Sequence, residues 1–370
     1  MGLRGRLVFE PRPEPPAGYV LLLSILAIIA ALLAAAVVFA VYGQNPWVAY
    51  GTIISGTLGD PIGLLSVLQR AVPIALISVG LVLAIRARFF NIGAEGQMLM
   101  GAVGAAGVAL FIPLPAPFML PAALLAGVLA GAAWGLLPAL LKLRWQVNEV
   151  ITTLMLNYVA LYGVNYLIHG PWKGDMAVGY AYSNLFPTSA WQALMARSNV
   201  GLVTLALAVG LAALVAFILV KTAFGFRLRV LGENPQAARY AGVNALSTTL
   251  LVALLSAGAA GLAGAGEVTA IHHRLLDPNE ISLGYGYTAI IAAWLARGNP
   301  LTALVTSVFL GVIFAGGDVM KVALQLPFHM TGVISGLILL FLISSEPLLR
   351  VVPRWVRAPE PAALQPTGGD

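Results

Sequence analysis

One apolar stretch of the chain opens with NEVITTLMLNY, in which Glu149, Thr152, Thr153 and Asn157 fall within about 140° of one helical face at 100° per residue. Polar groups inside an apolar span are costly unless they meet water or one another. This face therefore suits two roles: lining a hydrophilic route, or bonding to neighbouring helices and locking a bundle. Asn91, Glu95 and Gln97, in NIGAEGQ, precede another apolar run. They suit capping and orienting that helix, or touching a small polar solute. Glu267 follows a Gly-Ala-Gly run. It suits pairing with Arg274 or Arg70, or facing the same route. None of these sets is a catalytic constellation. The chain has no Gly-x-x-x-x-Gly-Lys, so it is not expected to hydrolyse ATP itself, and it has no HExxH or GxSxG. His272 and His273 are adjacent and point apart on a helix. They are expected to be a solvated loop pair, and no metal site is expected.

The elements that must position these residues are membrane spans. The chain of 370 residues is 60% hydrophobic and 9% charged, against about 25% charged in soluble domains. Cysteine is absent, which excludes disulfides and thiolate-held metals. Ten apolar runs are expected to cross a bilayer: Tyr19–Tyr42, Gly63–Ile85, Ile92–Ile112, Phe118–Leu141, Val150–Ile168, Val200–Val220, Thr248–Ile271, Gly284–Leu295, Leu301–Val319 and Gly332–Leu349. The eighth is short enough to be broken or re-entrant. Gly127, Gly131 and Gly135 form a small-xxx-small stripe that suits close helix packing. Residues 1–18 are expected to be a flexible tail, 19–350 the membrane domain, and 351–370 a second tail, disordered after Arg357.

Basic residues cluster in alternate loops, so both termini are expected on the cytoplasmic side. That bias also explains the net charge of +6 without any nucleic-acid partner. The segment Gly170–Asn199 then lies outside, and its Trp172, Tyr180, Tyr182 and Trp191 suit an interfacial belt. Spans 2–5 and 7–10 would run in opposite senses, as in an inverted repeat.

The longest cytoplasmic loop, residues 222–247, holds a short helix with its own stop signals. Asn234 can cap it, Pro235 suits its first position, and Gln236, Ala237, Ala238, Arg239, Tyr240 and Ala241 continue it. Gly242 suits the left-handed position beyond. So short a helix is not stable alone in water. It is expected to dock, either on a partner protein or on its own bundle.

FFNIGAEGQMLMGA, NEVITTLMLNYVA, GENPQAARYAGVN, GLAGAGEV and LGYGYTAI together resemble the permeases of ABC importers, and the nucleoside-type permeases in particular. The resemblance covers about Leu64 to Leu349. It implies an all-α, type II importer fold of about ten helices in the bacterial inner membrane. It also implies a separate ABC ATPase that binds ATP and Mg, a second and different homologous permease, an extracytoplasmic substrate-binding lipoprotein, and a nucleoside as cargo. The chain itself would bind no cofactor. Asn234 to Gly242 match the family's coupling helix, which contacts the ATPase. The related alternatives are a ribose-like sugar or a branched-chain amino acid as cargo. From another class, the acidic residues Glu95, Glu149 and Glu267 fit an ion-coupled secondary transporter.

Overall fold

The computed structural model describes residues 5–11, 17–325 and 351–357, with scattered residues between 333 and 344. They divide into two units, residues 1–50 with 324–370, and residues 51–323.

In the first unit, strand β1 (Gly5–Pro11) pairs antiparallel with β2 (Val351–Arg357), placing Leu7 opposite Trp355 and Phe9 opposite Pro353. The expected flexible tail at 1–18 thus holds a strand over its middle, and the strand β2 ends at Arg357, before the stretch expected to be disordered. Prolines and arginines dominate both segments, yet each carries a short run of β-branched and aromatic residues that fits a strand. The residues after Arg357 and most of the expected tenth span lie outside the described residues. Helix α1 (Ala17–Val41) follows, and the Phe39 ring meets the edge of Tyr50 at 5.5 Å. Helix α2 (Pro46–Thr57), not expected from sequence, leads from this unit into the next.

The second unit is a helical bundle. Its members are α3 (Pro61–Arg86), α4 (Ala94–Phe111), α5 (Ala116–Trp145), α6 (Glu149–His169), α7 (Leu202–Lys221), α8 (Ala223–Glu233), α9 (Pro235–Tyr240), α10 (Ala245–Glu267), α11 (Pro278–Ser282), α12 (Tyr285–Leu295) and α13 (Pro300–Ala323). A π turn, Val268–His272, widens the end of α10, and His273 then reverses into the left-handed region at φ 54°. Among the described residues, seven helices are long and apolar enough to cross a membrane. The count is eight if the bent pair Ile25–Val41 and Pro46–Thr57 is one span. Helix α12 is not among them. Its 11 residues reach about 16 Å, half of a hydrocarbon core of about 30 Å.

Helices α3 and α10 form the core. Helix α3 is buried without a break from Ala71 to Ala84. It packs most on α13, then on α10 and α12; α10 packs most on α5, then on α4. Glycine makes the contacts of α10 with α5 and with α4 possible. A Cβ at Gly131 would stand 2.6 Å from the Ala257 carbonyl oxygen, and one at Gly264 would overlap the Met98 carbonyl. The Gly127-Gly131-Gly135 stripe is therefore a packing surface, as its spacing suggests. Between α3 and α13 the buried hydroxyls of Ser78 and Ser307 meet at 3.0 Å.

Candidate functional site

Two helices start inside the bundle, and their starts touch. Phe89, Asn91 and Gly93 are buried just before α4, and Leu283 and Gly284 turn in the left-handed region before α12. Helix termini expose backbone groups that need partners. Glu95 supplies one: its Oε2 accepts the Gly286 N–H at 2.8 Å. Glu95 was expected to cap its own helix, α4, but it caps α12 instead. The approach is so close that a Cβ on Gly286 would collide with the Glu95 backbone.

The other polar residues tie α4 to α6 and α10. Asn91 and Gln97 form a paired-amide contact, Asn91 Nδ2 to Gln97 Oε1 and Gln97 Nε2 to Asn91 Oδ1, both 2.9 Å. Asn91 Nδ2 also donates to Ser256 Oγ at 3.2 Å, and Asn91 Oδ1 accepts from Gly93 N at 3.0 Å. Thr153 Oγ1 accepts from Ile92 N at 3.2 Å. Asn157 accepts from Gly96 N at 2.9 Å, and donates to the Ile92 carbonyl at 2.9 Å and to the Tyr287 hydroxyl at 3.2 Å. Asn91, Glu95, Gln97, Thr153 and Asn157 are all buried. These five residues thus form one polar knot at the crossing of two interrupted segments.

Three expected site residues lie elsewhere. Glu149 forms an ion pair with Lys142 where α5 meets α6. Thr152 bonds back to the Asn148 carbonyl at 3.1 Å. Glu267 is buried beside a small cavity lined by Gln69, Asn199 and Thr204. Neither arginine proposed for Glu267 pairs with it. Arg70 binds Asp318 through Nη2 at 2.7 Å and donates to the Tyr285 hydroxyl at 2.8 Å. The Arg274 guanidinium lies 4.7 Å from the centre of the Tyr182 ring. Asp318 is the acid that sequence reasoning missed, because its partner is 248 residues away.

The 170–199 segment folds back on the π turn. Gln192 donates its backbone N–H to the Thr269 carbonyl at 3.0 Å, and its side chain reaches Thr269 Oγ1 at 2.8 Å. A π turn replaces the α-helical bonds with i→i+5 ones, and Gln192 pairs with the backbone and side chain of Thr269 at that turn; no sequence signal marked it. The expected solvated histidine pair is also corrected. His273 stacks on Trp191 with ring centres 3.9 Å apart, and His272 is half-buried. Burial first, and then the charge of neighbouring Arg274, push the His273 pKa below its ordinary value. Trp191 thus packs one ring face on His273 while remaining partly exposed. Among the described residues no group of histidines and acids is placed to hold a metal.

The end of the bundle where α3 and α7 finish carries the short helix. Thr222 caps α8, and a Cβ on Gly232 would overlap the Arg86 carbonyl at the end of α3. Arg86 in turn donates to the Gly298 carbonyl, between α12 and α13, at 2.7 Å. Asn234 Oδ1 accepts from Gln236 N at 2.9 Å and from Ala237 N at 3.1 Å, Pro235 occupies the first turn, and Gly242 has φ +74°. Ala238 is fully buried with Leu231 and Val243. Gln236, Ala237, Arg239, Tyr240, Ala241 and Gly242 are exposed, and Tyr240 is 95% so. Helix α9 thus rests one side on its own chain and offers the other outward. The preceding helix α8 was read only as loop.

Long apolar helices, packed through glycine and buried polar bonds, define a multi-pass membrane protein. The chain belongs to the family described as permease components of branched-chain amino acid transport systems, whose model matches residues 63–343. It is 36% identical to a glucose ABC transporter permease of Haloferax volcanii, over 98% of both chains. It is 30% identical to a guanosine ABC transporter permease of Bacillus subtilis, over 88% of this chain and 93% of that one. With a nucleoside ABC transporter permease of Lactococcus lactis the identity is 26%, over 80% and 83%. Each of those two bacteria has a second permease protein, named for the same cargo, that also matches. The chain is therefore an ABC permease, a transport component and not an enzyme, and the ion-coupled reading is set aside.

Proposed function

We propose that the chain is one of two different permeases in an ATP-driven nucleoside importer, and that α9 is where the ATPase docks. The exposed face of α9 carries this reading. A capped helix of six residues, seated by Ala238 and reached through α8 from the end of α3, is stiff enough to pass a push into the bundle core. ATP and Mg would be bound by the ATPase, and an external lipoprotein would deliver the cargo. Lys142, Arg144, Lys221 and Arg239 lie at the ends of α5, α7 and α9, and Arg227 and Arg229 lie along α8, which supports a cytoplasmic placement of that end. The packing of α3 on α13 and α12, answered by that of α10 on α5 and α4, supports the inverted repeat.

The guanosine and nucleoside permeases support a nucleoside cargo. The glucose permease, more similar in identity and coverage, favours a second reading in which the cargo is a hexose. Uptake of labelled adenosine, glucose, ribose and leucine, in cells lacking and then regaining this gene, separates them. Loss and recovery of adenosine uptake is the expected result. Recovery of glucose uptake alone would overturn the cargo and leave the importer. Copurification of an ATPase with the wild type, abolished by Arg239→Glu, tests the docking helix.

A further inference from the structure

Helix α6 has a second face that the polar knot does not use. Ile151, Met155, Tyr158, Tyr162 and Tyr166 follow one another at helical spacing on the side away from Thr153 and Asn157. The three tyrosines are exposed by 52%, 68% and 71%, and their hydroxyls have no hydrogen-bond partner among the described residues. Tyrosine is common at membrane interfaces, which accounts for Tyr166, three residues before the helix ends. It does not account for Tyr158, about 14 Å from the helix start, or Tyr162 one turn further. An unpartnered hydroxyl at that depth is unfavourable against hydrocarbon. Tyr287 of α12, 39% exposed, lies near Tyr158, and its hydroxyl accepts from Asn157. The row is therefore joined through the knot to the interrupted segments.

We propose that Tyr158, Tyr162, Tyr166 and Tyr287 line the translocation route, as a ladder of rings and hydroxyls on which a planar heterocycle with polar edges stacks as it passes. This rests on the nucleoside reading above and adds the residues that would meet the base. Stacking tolerates any base, because every base has a π face. A route of this kind moves its cargo without choosing among nucleosides.

The chain has no cysteine, so single cysteines can be introduced into the assembled importer without first removing others from this subunit. Tyr162→Cys and, separately, Tyr166→Cys would be treated with a membrane-impermeant thiol reagent, both without nucleotide and with ATP and vanadate. The control is Leu214→Cys on α7. Labelling of both tyrosine positions in at least one state, reduced by adenosine, with none at the control, is the expected result. No labelling of either in both states would overturn the proposal, and would mean that lipid or the second permease covers this face. Adenosine uptake by Tyr162→Leu should fall about tenfold, while Tyr162→Phe keeps most of it. Unchanged uptake by the leucine variant would also overturn the proposal. If the wild type carries glucose and not adenosine, the nucleoside reading fails. Labelling that glucose reduces would then keep the route and overturn only its match to a base.

Discussion

Helices α6 and α7 bury the same small share of their apolar windows, yet they are made of different residues. The exposed face of α7 shows Leu207, Val209, Leu214 and Phe217. Nothing on it needs a hydrogen bond, and it suits lipid tails. The exposed face of α6 shows three tyrosines, while Asn157 and Thr153 are buried behind it. Exposure in a single membrane chain therefore has two meanings, lipid or a polar space, and side-chain chemistry distinguishes them. Of the two roles the sequence left open for the polar face of α6, Thr153 and Asn157 fit the bundle-locking one. The polar stripe of α6 is its packed side, and the aromatic side is the one left open.

The largest expected effect breaks this symmetry directly. Leu214→Asp places a charge in lipid near the middle of α7, at a cost of about 3 kcal/mol. Membrane-inserted protein should fall sharply for it and much less for Tyr162→Asp, as measured by carbonate-resistant yield. Equal losses would remove the distinction between the two faces. Next is the buried side of α6. Asn157→Leu leaves the Gly96 N–H and the Ile92 carbonyl unsatisfied, each costing about 1–3 kcal/mol. Its detergent-solubilised complex should melt at a lower temperature, whereas Tyr162→Leu should melt as the wild type and transport poorly. A normal melting temperature for Asn157→Leu would return that residue to the route.

Helix α9 gives a similar contrast within six residues. Tyr240→Ala should weaken ATPase association about tenfold, in keeping with a buried aromatic at an interface, and leave insertion unchanged. Ala238→Glu should instead disrupt the loop itself, because that side chain faces Leu231 and Val243. Retained ATPase binding in the Tyr240 variant would move the docking surface elsewhere. The last effect is confined to stability and belongs to Gln192→Leu. Its backbone bond to Thr269 survives, but its side-chain bonds to Thr269 Oγ1 and to the Thr204 N–H and hydroxyl are lost, and the buried Thr204 N–H left unpaired costs about 1–3 kcal/mol. Melting should shift downward, with no change in ATPase binding.

The span positions were legible because hydrocarbon imposes one requirement, a long apolar run, and the nine tested runs fall within a few residues of helices. The stop signals of α9 were equally legible: the Asn234 cap, Pro235 and Gly242 act through the local backbone. Amphipathic α8 was missed because three arginine and glutamate positions made it look like solvent-exposed loop, while Gly225, Leu228 and Leu231 are the buried side. The β1–β2 pairing was missed because its two strands lie more than 300 residues apart. For Glu95 and Glu149 the sequence offered residue types and approximate depth and nothing about partners, and for Glu267 it offered two arginines that do not pair with it. Arg70 could have met Glu267 or Asp318, and only the placement of α13 against α3 decides for Asp318. Local capping and hydrophobicity depend on neighbours in the chain, so the sequence alone determined the long apolar helices and the capped helix α9. Which polar group faces which, and which side of α6 is left open, depends on how helices distant in sequence cross, and that the tertiary structure decided.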